Sequence, residues 1–184
     1  MMEGLGVGLP GRERGILMAS EVDTGVTIRT ELRPGDMGRV IALHGVLYAE
    51  EYGFDHGFEA YVAETVAEFG RLARPGLDRL WVAERDGRMI GSIAIVGRED
   101  GAAQLRWFLV APDARRSGLG RRLVHEALEF CRGAGYRSVY LWTVTDLNAA
   151  ARLYVRAGFQ KTETKPPSML WGVQLAEERY DLNL

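Results

Sequence analysis

A single cysteine, Cys131, stands among 184 residues, so no disulfide can form within the chain. It falls in a helical apolar pattern and reads as a small core residue. No apolar run is long enough to span a bilayer, and nothing recurs at the periods of solenoid repeats. Excess charge is also missing: 23 Lys and Arg against 25 Asp and Glu leave a net charge of −2. That balance excludes a non-specific nucleic-acid or membrane-surface binder while leaving room for a local basic patch. The first charge is Glu3 and the apolar patch Ile16 to Ala19 is short, so the basic start and long apolar core of a secretory signal are absent and the expected location is the cytoplasm. There is no Gly-Lys-Ser/Thr for a Walker phosphate loop and no full Gly-x-Gly-x-x-Gly dinucleotide fingerprint. No metal is expected.

With 47% apolar and 26% charged residues, the chain has the makings of one globular domain with a proper core. Met1 to Gly25 is Gly-rich and unpatterned; it reads as a loosely ordered leader, with Met18 a candidate natural start, and residues 26–184 as the domain. Val26, Ile28 and Leu32 suit a first strand. Asp36 is placed to cap a helix carrying Val40, Ile41, Leu43, Val46 and Leu47, which Gly53 ends. A second helix runs from about Phe58 to Ala73. Leu80 to Glu84 and Met89 to Val96 flank Asp86-Gly87, a two-residue hairpin signal. Leu105 to Val110 follows as a strand. A helix then carries Leu119, Leu123, Ala127 and Cys131 at helical spacing, and Ser138 to Val144 is a strand parallel to the Leu105 strand because a helix crosses between them. Asp146 or Asn148 caps a helix over Ala149 to Ala157. Phe159 to Thr164 is a strand, a loop passes Pro166, Pro167 and Trp171, and Glu178 to Leu182 is the last strand. The class is α/β (α+β), in the order β-α-α-β-β-β-α-β-α-β-β.

The chain is organised around Leu105 to Arg132. An apolar strand meets Pro112, then Arg115, Arg116, Ser117, Gly118, Leu119 and Gly120, and a helix follows at once. A helix start presents unpaired N–H groups and a positive dipole end, so an anion belongs there. Arg115, Arg116, Arg121 and Arg122 oppose that dipole unless an anion lies between them, and a phosphate-bearing ligand resolves the conflict. A solvated basic surface beside a turn has the same composition.

Arg115-x-x-Gly118-x-Gly120, after a strand ending in Val110-x-Pro112, resembles the Gln/Arg-x-x-Gly-x-Gly/Ala motif that binds the acetyl-coenzyme A (acetyl-CoA) pyrophosphate in the GCN5-related N-acetyltransferases (GNAT superfamily). Asn148, Leu153-Tyr154 and Gly158-Phe159 are similar to a second motif of that family. The element order matches too, so the resemblance covers nearly all of the chain from Val26. It implies a mixed central sheet of about seven strands flanked by four helices. His44 to Gly53 looks more particularly like the acetyltransferase half of bacterial MarR–GNAT fusions; only ~25 residues precede the first strand, too few for a winged-helix domain, so a stand-alone version is expected.

The resemblance implies transfer of acetyl from acetyl-CoA to a primary amine by direct attack, the acceptor being a small molecule or a peptide, with a homodimer left open. A coenzyme A-binding regulatory domain without turnover is the alternative. It implies cofactor contacts at Phe108, Leu109 and Val110, at Arg115, Arg116, Ser117, Gly118, Leu119, Gly120 and Arg121, and at Asn148. Tyr154 matches the family's general acid, although a tyrosine packed under the sheet has the same pattern. The commonest form of the turn has Gly where Arg116 stands, so the backbone must avoid positive φ there or accept strain. His44, Tyr48 and Glu51 share one helix face. Glu51 is the candidate for holding the substrate ammonium and His44 the candidate base; an exposed polar face shows the same spacing.

Overall fold

The computed structural model describes residues 25–184. The reading of residues 1–25 as a leader, but for Gly25, and of Met18 as a start lies outside the described residues. The elements are β1 (Val26–Arg29), α1 (Asp36–Tyr52), α2 (His56–Leu72), β2 (Arg79–Arg85), β3 (Arg88–Gly97), β4 (Ala102–Val110), α3 (Leu119–Gly133), β5 (Ser138–Val144), α4 (Asn148–Arg156), β6 (Gln160–Thr164), β7 (Ser168–Leu170), β8 (Val173–Leu175) and β9 (Glu177–Asn183). Seven strands form one mixed sheet in the order β1-β2-β3-β4-β5-β9-β6, in which only β4 and β5 run parallel. This is the sheet and helix count expected from the sequence.

Two cores lie on opposite faces of the sheet. Leu119, Leu123, Ala127 and Cys131 of α3 pack with Tyr154 of α4 on one face; Val40 of α1 and Phe58, Val62, Val66 and Phe69 of α2 cover the other. Each helix presents one apolar stripe, and the sheet separates them. Cys131 is fully buried, and burial pushes its thiol up to about 12, consistent with packing rather than reactivity.

Several boundaries differ from the sequence reading. β1 stops at Arg29, and Leu32 is exposed beyond it. Asp36 does not cap α1. Gly35, at φ +93°, precedes the helix, while the Asp36 carboxylate accepts from the Arg33 amide at 2.6 Å and from Arg29 Nη1 and Nη2 at 2.7 and 2.8 Å. The carboxylate is fully buried beside a buried guanidinium that also grips Glu84, and a charge removed from water is best compensated by an opposite charge. Asp55 caps α2 by accepting the Gly57 amide at 2.8 Å, which starts that helix two residues early. Neither Asp146 nor Asn148 caps α4: Leu147 holds the cap position, and no side chain bonds the helix amides. The expected loop around Trp171 contains a hairpin, β7–β8, turning at Trp171 and Gly172, both at positive φ.

Candidate active site

The basic turn is built as a helix start with unused donors. Arg116 adopts φ +64° and Gly118 φ +90°, so the backbone accepts the left-handed geometry at a non-glycine residue, at a cost of roughly 1–2 kcal/mol. Ser117 Oγ donates to Ala114 O at 2.8 Å and accepts the Leu119 amide at 3.3 Å. The first amide of α3 to reach a backbone carbonyl is that of Arg122, to Gly118 O at 3.1 Å, so that among the described residues the Gly120 and Arg121 amides of this first turn have no acceptor. No acidic residue occupies the first turn of α3. Among the described residues Arg116, Arg121 and Arg156 form no ion pair, and all three line a groove of about 650 Å³ together with Leu109, Val110, Gly118 and Gly120. A Cβ on Gly120 would stand 3.2 Å from Leu153 Cδ1 and 3.4 Å from Phe108 Cζ, so glycine lets α3 close onto β4 and α4.

The groove continues into a split in the sheet. β4 and β5 pair only over Ala102 to Gln104 with Ser138 to Tyr140; beyond that β4 follows β3 and β5 follows β9. Between the Ser92–Leu109 and Ala94–Arg106 pairs, Trp107 and Phe108 oppose the single residue Ile93, a bulge with Trp107 at φ +45°. Ser92 Oγ fixes it by donating to Trp107 O at 2.7 Å. A second pocket, about 120 Å³, opens into the split between β4, β5, α1 and α2. Tyr48, Phe108, Leu147 and Ala150 line both spaces, so a ligand lying in the groove meets the pocket across that shared wall.

The chain matches the acetyltransferase (GNAT) family over residues 46–159. It belongs to that family. It is 35% identical over 108 residues to N-acetyltransferase 8B of Rattus norvegicus, covering 54% of this chain and 49% of the relative, and 30% identical over 126 residues to an uncharacterized N-acetyltransferase of Methanocaldococcus jannaschii, covering 64% and 55%. The chain thus spans about half the length of these relatives. Among solved structures, a putative GNAT acetyltransferase of Desulfovibrio desulfuricans superposes with a TM-score of 0.69 at 25% identity, covering 86% of this chain and 98% of the other. An acetyltransferase of Streptococcus agalactiae superposes with a TM-score of 0.72 at 20% identity over 88% and 99%, a likeness of fold.

Within this GNAT fold the candidate residues separate. Tyr154 is buried in the pocket beside Phe108, with ring centroids 6.0 Å apart, and desolvation raises its phenol above the ordinary value of 10.0, so it stays protonated. His44 lines the same pocket, 3% exposed and stacked on Tyr48. Its Nδ1 lies 2.8 Å from Val40 O. A carbonyl can only accept, so Nδ1 carries the proton and Nε2 keeps its lone pair. Burial lowers its pKa to about 4. Glu51 is not in this pocket. It takes both Nη atoms of Arg115, at 2.9 and 2.6 Å, beside the groove, while Arg115 Nε donates to Val110 O at 3.0 Å. The shared helix face therefore divides at Tyr48, because α1 crosses from one space to the other. Phe108, Leu109, Val110, Arg115, Arg116, Gly118, Gly120 and Arg121 line the groove; Ser117 braces the turn, Leu119 points into the core, and Asn148 is exposed outside it.

The sequence reading passed over Arg106, Trp142, Trp171 and Glu177, all of which line the pocket, and Arg156 in the groove. Arg106 carried a signal, a lone charge inside the apolar run Leu105 to Val110. Trp171-Gly172 between two short strands was a turn signal of the ordinary kind.

Proposed function

We propose that this protein transfers an acetyl group from acetyl-CoA to a primary amine. One observation carries the reading: a groove ending in unpaired helix amides and unpaired arginines shares a wall with a pocket in the β4–β5 split. Acetyl-CoA supplies a thioester activated toward a neutral amine. The Gly120 and Arg121 amides and the Arg116, Arg121 and Arg156 guanidinium groups suit its pyrophosphate. The backbone of Phe108 to Val110, free of β5, can bond the pantetheine and polarise the thioester carbonyl.

Tyr154 donates its proton toward the departing sulfur. Because its phenol is held above 10.0 and an ordinary thiol has a pKa of about 8.5, the hydrogen bond to developing thiolate charge matters more than complete transfer. His44 Nε2 accepts from an amine that is already neutral: a group with a pKa of about 4 is too weak to strip an ordinary ammonium near 10. Glu51 holds Arg115 rather than the substrate. The likeness of His44 to Gly53 to the acetyltransferase half of MarR–GNAT fusions suggests a relation within the family and rests on that stretch alone.

The test is thiol release from acetyl-CoA across an amine panel. Tyr154→Phe should slow turnover by about 10²–10⁴-fold with acetyl-CoA affinity unchanged. An unimpaired rate would return Tyr154 to packing, and absence of release with every amine would remove the activity.

A further inference from the structure

The pocket in the β4–β5 split contains two charged residues, and they are not equivalent. Glu177 is already neutralised by Lys165 Nζ at 2.9 Å, and that ammonium also lies 4.3 Å from the Trp142 ring centroid. Arg106 is half-buried and, among the described residues, forms no ion pair, although it also lines a neighbouring space with Glu68, whose charge acts on it from there. Its Nη2 donates to the Tyr61 hydroxyl at 2.9 Å, and its guanidinium lies 5.7 Å from the Tyr61 ring and 5.4 Å from the Trp107 ring. A guanidinium has five donors in a fixed fork. Tyr61 uses one of them.

Strand alternation explains why Arg106 is here: it pairs in register with Ala94, which packs in the core under α2, while its neighbour Leu105 packs with Ile95 on the other face. In a regular strand, neighbours point to opposite faces. Here Arg106 reaches Tyr61 while Trp107 Nε1 reaches Thr65 Oγ1 at 3.2 Å, and Tyr61 and Thr65 are one turn apart on α2. Both side chains therefore face α2: Arg106 by regular alternation, and Trp107 because the bulge turns it to the same side. The other walls are aromatic: Tyr48, Phe54, Phe58 and Trp171 on one side and Trp142 on the other. A space of about 120 Å³ is on the scale of an apolar cavity that takes a single benzene ring.

We propose that Arg106 anchors a carboxylate on the acceptor, so that the substrate is an amine with the chemistry of a free amino acid bearing an apolar or aromatic side chain. This rests on the acetyl-transfer reading and narrows it. The carboxylate completes the Arg106 fork, the side chain enters the aromatic walls, and the amine is left toward Phe108 and Tyr154. A peptide N-terminus has a neutral amide where this site offers a cation; its carbonyl can accept a hydrogen bond from Arg106 but forms no ion pair and cannot fill the fork as a carboxylate does.

The test compares L-phenylalanine, phenylalanine amide and phenethylamine as acceptors in thiol release, for wild type, Arg106→Gln and Arg106→Lys. In parallel, N-acetylphenylalanine and N-phenethylacetamide are titrated against tryptophan fluorescence, since three tryptophans line the pocket. Wild type should favour phenylalanine over both analogues by about 30-fold or more in kcat/KM, the scale for losing one partner of a desolvated charge pair. That ratio should collapse toward one in Arg106→Gln and be restored only in part by Arg106→Lys, which keeps the charge and loses the fork. Equal use of phenylalanine amide, or an unchanged ratio in Arg106→Gln, overturns the anchor. The wild-type ratio decides the matter even if a variant fails to fold. Preferential binding of the carboxylate without thiol release upholds the anchor and removes acetyl transfer, whereas release without preference does the reverse.

Discussion

His44 shows how a residue changes meaning between sequence and fold. In the chain it is a histidine on a helix face, the side chain with the best ordinary pKa for proton transfer near neutrality; in the fold it is a neutral, buried ring with a pKa of about 4. The unfolded chain, with the ordinary 6.5, binds more protons between these values, so stability rises with pH across the window. This contribution is whole above pH 6.5 and is lost as pH falls toward 4, amounting to roughly 3 kcal/mol. Urea unfolding of wild type and His44→Phe at pH 7 and pH 4.5 should show wild type losing more stability than the variant. Parallel losses would mean that the ring is accessible to protons in the fold. Any acid limb in the rate profile that belongs to His44 should likewise lie near pH 4. Arg116 is a second case: in the chain it left two outcomes, avoidance of positive φ or acceptance of strain, and the fold takes the second at φ +64°, with the guanidinium in no ion pair among the described residues beside the groove.

Among elements, α1 is held by charge and the β4–β5 split by its absence of pairing. Asp36 at the start of α1 and Glu84 on β2 clasp Arg29 of β1 from two sides. Hydrogen bonds from Arg29 hold both carboxyls below their ordinary values, so this contribution is present at neutral pH and lost as acid protonates them. Asp36→Ala removes the partner of a buried guanidinium and should cost about 3–5 kcal/mol, read as a lower urea midpoint with an unchanged slope. A cost within about 0.5 kcal/mol would mean that water or Glu84 alone satisfies Arg29. Because α1 carries His44, Tyr48 and Glu51, loosening its start should also raise KM for the acceptor.

At the scale of the molecule, the pocket is closed by a part of the chain far from its floor. The Trp171 ring lies 5.3, 4.8 and 5.6 Å from Phe54, Phe58 and Tyr61, and Trp171 O accepts the Asp55 amide at 2.9 Å, pinning the β7–β8 hairpin to the α1–α2 corner. Trp171→Ala opens one wall of the acceptor pocket without touching the groove. It should raise the acceptor KM by about tenfold, the scale of a lost apolar contact of 1–3 kcal/mol, with acetyl-CoA affinity unchanged by calorimetry. Equal weakening of both ligands would show that the hairpin supports the whole site.

The sequence by itself determined the order of the four helices and of the seven strands of the main sheet, though not the β7–β8 hairpin, together with the hairpin at Asp86-Gly87, the parallel β4–β5 crossover and the basic turn before α3. These follow from local periodicity, turn chemistry and helix-end electrostatics, which act over a few residues. It also marked Tyr154 and the turn glycines, through the spacing that resembles the GNAT motifs. Only the tertiary structure decided which polar residues are free. Glu51 lies 64 positions from Arg115 and is taken by it; Asp36 turns from its helix to Arg29; Arg106, a lone charge in an apolar run, faces the pocket and bonds Tyr61, 45 positions away. Ion pairing and desolvation depend on what long-range packing brings within a few ångströms, and no window of sequence contains that information.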